Sequence, residues 1–336
     1  MLKGVSIIIC CYNSASRIEK TLAELSQLDS EGVACEIILV DNASSDDTKV
    51  KAATAWEKYR NDEITFNIVD EPIPGVANAR TTGINKAKFE LSVFCDDDNW
   101  LNNNYIIKTI ELFDAHPEAA ILSGIGIAAF ENPNDKPFWF DAFSDGYAVG
   151  SKGEQECLLN GVFGAGMAMR TAVIREVINS GKMLLDGRKK NALSAGEDAE
   201  ICLRVRLAGH QILYSPKLIY RHYLPSKRLT WTYLKRLHAG FAHSYVIVDM
   251  YETALKTPAP ATLPRFYWLS KALYYLGINF KYWFKQYLVY SKGEGTAEEI
   301  RHITWAIIAG SYFKYNFNTV KIYKEILAHK QNLQNI

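Results

Sequence analysis

Long uncharged runs are missing from this 336-residue chain. None exceeds 13 residues, so no segment reads as an ordinary transmembrane helix. The opening Met1-Leu2-Lys3-Gly4-Val5-Ser6 has no charged start, long apolar stretch or small-residue cleavage site of a signal peptide, and runs straight into a strand-like segment. Net charge is nearly absent too, at +1, which argues against general nucleic-acid binding. The six cysteines (Cys10, Cys11, Cys35, Cys95, Cys157 and Cys202) include no C-x-x-C pair, which speaks against a zinc site. Most lie in apolar segments, so buried free thiols and a reducing, cytoplasmic setting are expected. No internal repeat is present.

The small net charge conceals an asymmetry. Residues 258–336 carry ten basic and four acidic side chains, a net of +6, against −5 for residues 1–257. Pro258, Pro260 and Pro264 mark the boundary between the two parts. Just beyond it, residues 266–290 hold eleven aromatics with Lys271, Lys281 and Lys285 and no acid. This stretch reads as a helix. It suits an interfacial helix on a membrane bearing anionic lipid, a helical hairpin packed on the body, or a contact between copies in a homo-oligomer.

In the first hundred residues, apolar runs at 5–10, 36–40, 64–69 and 91–95 read as buried strands. Segments 16–28 and 78–87 have helical spacing, and a further helix after 42–48 starts at Asp46 or Asp47. The alternation predicts an open, mostly parallel α/β sheet, with ligands bound beyond the carboxyl ends of its strands. Farther on, 119–130 reads as a strand, 131–153 as a long loop and 161–170 as a Gly-rich segment entering a strand. Residues 171–180 and 197–208 read as helices, 184–195 as a basic loop and 212–219 as a strand.

Asp96-Asp97-Asp98 ends the fourth strand. Three adjacent carboxylates repel one another and are costly to desolvate. A solvated turn tolerates them; the tip of a hydrophobic strand calls for a counter-ion, such as a hard divalent cation shared with substrate phosphates.

Several ordered segments now form a pattern. Val5-Ser6-Ile7-Ile8-Ile9-Cys10-Cys11-Tyr12-Asn13, Ile38-Leu39-Val40-Asp41-Asn42-Ala43-Ser44-Ser45-Asp46, Gly75-Val76-Ala77-Asn78-Ala79-Arg80, Phe94-Cys95-Asp96-Asp97-Asp98 and Gly196-Glu197-Asp198-Ala199-Glu200 followed by Arg204 lie in this order. Together they resemble the inverting nucleotide-sugar glycosyltransferases of glycosyltransferase family 2, which have a GT-A fold. The resemblance covers about residues 5–225. It implies a GT-A catalytic domain over 1–257, with a nucleotide-binding half to about residue 100 and an acceptor half beyond, followed by an aromatic, basic helical tail at 258–336. There are departures. The family often has Pro-Thr-Tyr-Asn at the first turn and Asp-Asp-Gly-Ser at the second strand end, and the Gln-x-x-Arg-Trp run of processive synthases is absent. That absence favours addition of a single sugar.

The resemblance assigns roles to particular residues. Tyr12, Asn13, Asp41, Asn78, Arg80, Asp96 and Asp97 would form the donor-nucleotide site. Asp41 would accept the N3–H of uracil, or else only cap the next helix. Arg80 would approach uracil or the diphosphate, or else face solvent. Asp98, with Asp96 and His222, would hold Mn²⁺ or Mg²⁺; a lone histidine is equally a structural residue. Asp198 would be the general base, with Glu197 beside it, unless the two acids only favour the helix start. Apart from the resemblance, the small size of Gly164, Ala165 and Gly166 would let the backbone approach the donor sugar or acceptor. Trp139 would cover the sugar or belong to the core.

The reading is thus an enzyme that moves one sugar from a nucleoside diphosphate sugar, a UDP-sugar by preference, to a hydroxyl of a sugar or lipid-linked glycan in surface polysaccharide or glycolipid synthesis. It would work in the cytoplasm, peripherally on the inner face of the plasma membrane. Two alternatives remain: a non-catalytic scaffold subunit of a glycan-assembly complex, and a sugar-nucleotide nucleotidyltransferase. The latter usually has a Gly-rich loop after strand one, and Cys11-Tyr12-Asn13-Ser14-Ala15 contains no glycine.

Overall fold

The computed structural model describes residues 2–30, 32–185, 196–257, 263–289, 293–315 and 318–334. Most of the basic loop foreseen at 184–195 and the boundary prolines Pro258 and Pro260 lie outside the described residues.

Strands β1 (Leu2–Cys11), β2 (Cys35–Asp41), β3 (Ile64–Asp70) and β4 (Phe89–Phe94) alternate with helices α1 (Ile18–Leu25), α2 (Thr48–Tyr59) and α3 (Val76–Lys86). A short β5 (Asn99–Leu101) and α4 (Tyr105–Ala115) follow, then β6 (Ala119–Phe130), β7 (Cys157–Leu158), β8 (Ala168–Arg170), α5 (Thr171–Asn179), α6 (Glu197–Leu207) and β9 (Gln211–Leu224). Four helices follow among the described residues, α7 (Trp231–Lys256), α8 (Arg265–Val289), α9 (Ala297–Tyr315) and α10 (Thr319–Gln334). No helix among the described residues is long and apolar enough to cross a membrane.

Among the described residues all strands join one sheet in the order β3-β2-β1-β4-β8-β6-β9-β5, with β7 on β9. β3, β2, β1 and β4 are parallel. β8 runs antiparallel between β4 and β6, and β6 and β9 are again parallel. The parallel half is the expected one, and the reversed β8 makes the sheet mixed. The carboxyl ends of β1, β2, β4 and β9 therefore meet at one edge.

Strand side chains alternate between faces. Ile7, Ile9, Ile37, Leu39, Leu91 and Val93 pack with α1, α2 and α4. Ile8, Ile38, Val40 and Phe94 point the other way, into a cluster built with α3, α5, α6 and α7. The latter continues into Trp268 and Ala272 of α8, Tyr312 of α9 and Tyr323 and Ile326 of α10. The tail helices thus share a core with the sheet.

The loop at 131–153 is more ordered than its composition suggests. Phe140–Tyr147 forms a 3-10 helix whose aromatics pack with Trp231. Helix α7 was not foreseen, and its sequence hides it: apolar residues are spread around it because one side meets this cluster and another the tail.

Helix α6 is anchored by a fully buried pair, Glu200 and Arg204, 2.8 Å apart. Arg204 also donates to the carbonyls of Val177, Gly181 and Lys182. Glu200 accepts from the backbone N–H groups of Leu184 and Leu185 and from the Tyr251 hydroxyl. Removing one partner strands a buried charge. Arg204→Met is expected to lower unfolding free energy by about 3–5 kcal/mol, read from urea denaturation; a loss within experimental error would contradict the structure.

Candidate functional site

A cavity of ≈ 300 Å³ opens at the sheet edge where β1, β2, β4 and β9 end. Its wall includes Tyr12, Arg17, Asn42, Gly75, Arg80, Asp96, Asp97, Asp98, Tyr147, Gly164, Ala165, Glu197, Asp198, His222 and Arg228.

The acidic triplet is neutralised from three directions. Asp96 Oδ1 lies 3.5 Å from the Arg80 guanidinium, which donates at 3.1 Å to Glu197 and lies over the Phe94 ring. Asp97 accepts from Ser14 and from Arg17 at the start of α1, and its carbonyl takes the Thr21 hydroxyl. Asp98 accepts from Arg228 at 2.8 Å and from Asn99 at 3.3 Å. Burial disfavours the charge of Asp98, but His222, Arg228 and Arg17 hold its carboxyl well below the usual range. Asp97 goes the other way, raised by burial and by the charge of Asp98. Burial would lower Arg80, yet Glu197, Asp96 and Asp198 hold it above its ordinary value.

Whether these acids fit a divalent ion can be judged from His222. Its Nδ1 lies 2.6 Å from the Tyr147 carbonyl, an acceptor only, so Nδ1 carries the proton. Nε2 is left facing Asp98 Oδ1 at 3.5 Å. In the neutral ring this sets a lone pair against a carboxylate, which a cation between them relieves; a proton on Nε2 relieves it equally and makes the His222–Asp98 ion pair. Among the described residues no group of three or more His, Cys, Asp or Glu is arranged to hold a metal, and Asp96 is engaged by Arg80. The donor set fits a hard ion that brings phosphate oxygens with it, not a closed protein cage.

The remaining expected residues divide into those at the cavity and those that shape it. Tyr12 is exposed at its rim. Asp41 is buried at the end of β2, behind the lining residue Asn42 and not itself in the lining, and its Oδ1 has no hydrogen-bond partner among the described residues. It does not cap α2, because the Thr48 N–H goes to Asp46. A buried carboxylate oxygen without a partner is costly. Asn13 and Asn78 stand behind the wall. Asn13 accepts from the Ser45 N–H, and Asn78 donates to the Ile73 carbonyl.

Gly164 is small for a different reason from the one expected. A Cβ there would meet Arg80 Nη2 at 2.1 Å, so its bareness makes room for the guanidinium. Ala165 lines the cavity. Gly166 is not in the lining; its φ of +63° and the closeness of Tyr220 require glycine. Trp139 is also away from the cavity. It is 2% exposed, packs edge-on to Trp231 and donates to Glu294 of the tail at 2.7 Å, so it belongs to the core.

Asp198 sits in the first turn of α6. One carboxylate oxygen accepts from the Gly164 N–H at 3.1 Å and the other from the Ala199 N–H at 2.8 Å. The residue lines both this cavity and a second one of ≈ 370 Å³. The second cavity is mostly apolar, with Leu159, Val162, Phe163, Phe241, Tyr245 and Val248 in its wall.

Sequence reasoning missed Arg17, Asn42 and Arg228. Asn42 stands where the family often has a second acid. Its amide does what a carboxylate cannot: it donates to the carbonyls of Glu71 and Ile73 and accepts from the Gly75 N–H. The departure itself was the available signal. Nothing local marked Arg17 or Arg228.

A family model described as "Glycosyl transferase family 2" matches residues 6–178. The chain is 32% identical over 124 residues to the poly-beta-1,6-N-acetyl-D-glucosamine synthase of Staphylococcus epidermidis, a match covering 37% of this chain and 28% of that one. It is 29% identical over 123 residues to the synthase of that name from Staphylococcus aureus (strain COL), with the same coverage. These matches thus span less than a third of either relative's length. A crystal structure of GalNAc-T7 with UDP, GalNAc and Mn²⁺ has a TM-score of 0.50 at 13% identity, covering 75% of this chain and 51% of that one. One of S. aureus TarS 1-349 in complex with UDP-GlcNAc has a TM-score of 0.47 at 15% identity, covering 96% and 90%.

The packing of Gly164 on Arg80 can be tested alone. Gly164→Ala is expected to dislodge the guanidinium from Glu197 and lower stability by about 1–3 kcal/mol. Gly277→Ala on α8, which meets open space, should be neutral or slightly stabilising. Equal unfolding midpoints for the two variants would refute this packing role.

Proposed function

The chain belongs to glycosyl transferase family 2, and on that footing we propose that it is an inverting glycosyltransferase using a nucleoside diphosphate sugar, most readily a UDP-sugar. The observation that carries this reading is the Asp198 carboxylate in the wall between two cavities. The cavity with charged side chains in its wall suits a charged donor and the more apolar one an acceptor. Asp198 takes the acceptor proton as the hydroxyl oxygen attacks the anomeric carbon, and the bond from that carbon to the diphosphate oxygen breaks. The unpartnered Asp41 oxygen supports a uracil N–H as its partner, and Arg80 and Arg17 supply positive charge beside the phosphates. A Mg²⁺ or Mn²⁺ ion on Asp98 and His222 would stabilise charge on the departing nucleotide.

The acceptor is a hydroxyl of a surface polysaccharide or glycolipid precursor. Helix α8 supports work at a cytoplasmic membrane surface. Leu273, Leu276, Phe280, Trp283 and Phe284 are exposed along it, exposed Lys281 lies among them, and anionic lipid matches both features. Vesicles containing anionic lipid should co-sediment the protein more strongly than zwitterionic ones, and Phe280→Ser with Phe284→Ser should weaken this. Equal sedimentation by both vesicle types, or self-association without vesicles, would count against the membrane.

The enzymatic reading is tested by calorimetry and turnover together. UDP should bind in the presence of Mn²⁺ and lose most of its affinity in EDTA or in Asp98→Ala. Asp198→Asn should keep UDP binding and lower UDP release from UDP-sugars by about 10²–10⁴-fold. Unchanged turnover in Asp198→Asn would remove the base assignment, and absence of all nucleotide binding would favour a scaffold role.

A further inference from the structure

Arg228 is the feature of the site that the catalytic reading leaves unused. It ends a 3-10 turn, Ser226–Arg228, between β9 and α7. Its backbone is fixed at both ends: the N–H donates to Pro225 and the carbonyl accepts from the Tyr147 hydroxyl at 2.9 Å. Its side chain reaches into the cavity and donates to Asp98 Oδ2 at 2.8 Å, with Asp98 only 5% exposed. The other oxygen, Oδ1, receives Asn99 and faces His222. Both oxygens of the best-placed metal ligand are therefore taken, one of them by a positive charge whose backbone, not its side chain, is held at both ends.

We propose that Arg228 guards Asp98, keeping free divalent cations out until a diphosphate arrives and draws the guanidinium away. A dication approaching Asp98 meets the like charge of Arg228, and displacing that side chain without a substitute would leave it unpaired in a largely buried place. A diphosphate removes the obstacle, because its oxygens accept from a guanidinium as well as a carboxylate does. Metal and nucleotide then bind as a linked pair, each raising the affinity for the other by the same factor. Arg228 acts here as a positioning residue. The diphosphate half of the proposal rests on the donor reading above; the guarding of Asp98 does not.

The test is titration of Mn²⁺, followed by the electron paramagnetic resonance signal of the free ion, into the full-length protein with and without UDP. Arg228→Gln is expected to bind Mn²⁺ on the order of 10-fold more tightly than wild type without nucleotide. UDP should raise wild-type Mn²⁺ affinity by a larger factor than it raises that of the variant. Arg228→Met is titrated alongside, so that loss of fold in one variant does not remove the test. The double variant Asp98→Ala, Arg228→Gln should lose the gain, assigning it to Asp98. Nucleotide-free Mn²⁺ affinity in both Arg228 variants equal to or below wild type would overturn the proposal and leave the pair a structural one. Tight Mn²⁺ binding by wild type that UDP does not change would overturn the linkage. If UDP binds neither protein while the Arg228→Gln gain remains, the donor reading fails and the guarding stands.

Discussion

The structure around the site depends on neutralising three consecutive carboxylates at the tip of a buried strand. Each has its own arginine: Arg80 for Asp96, Arg17 for Asp97 and Arg228 for Asp98. These come from α3, the start of α1 and the turn before α7, so the ion pairs fasten three elements to the end of β4. Such pairs contribute less to net stability than to geometry, because desolvation offsets much of their attraction. Their value here is that a concentrated negative charge survives in a place where it can meet a ligand. The three acids and their arginines all lie in the wall of the cavity.

The second ionic centre, Glu200 with Arg204, does different work. It is sealed from solvent and spends its hydrogen bonds on the backbone around 177–185 and on Tyr251 of α7. It thereby fixes α6, and with it Asp198 in the first turn. Asp198 is thus carried by a helix whose ionic centre makes its hydrogen bonds inside the protein, while the charges of the acidic triplet line the cavity.

What could be read in the sequence was whatever is local. β1 through β4 and α5, α6 and β9 follow from apolar runs and their punctuation; the strand-end rule brought Asp96 and Asp98 to the cavity, and the family resemblance pointed to Asp198 and His222, which also line it. The arginine partners were illegible because they are set by topology: Arg17 lies 80 positions from Asp97 and Arg228 lies 130 from Asp98. Of the two readings open for Trp139, its burial selects the core one, and the smallness of Gly164 serves Arg80. Ala43 is instructive in another way. It holds a φ of +56° where the family often has glycine, a left-handed conformation that costs an alanine roughly 1–2 kcal/mol. The neighbouring Asn42 bridges, which tie the turn to Gly75, oppose that strain.

Tyr245 of α7 is part of the wall of the apolar cavity, and its hydroxyl accepts from Tyr275 of α8 at 2.7 Å. The opposite side of α8 is the exposed aromatic face. One helix thickness and one phenol pair therefore separate the interior of that cavity from the outer surface of the tail. The tail is in this sense a floor as much as an appendage. Exchange of this segment between relatives would alter the chamber beside Asp198 even if every residue of the sheet edge stayed the same.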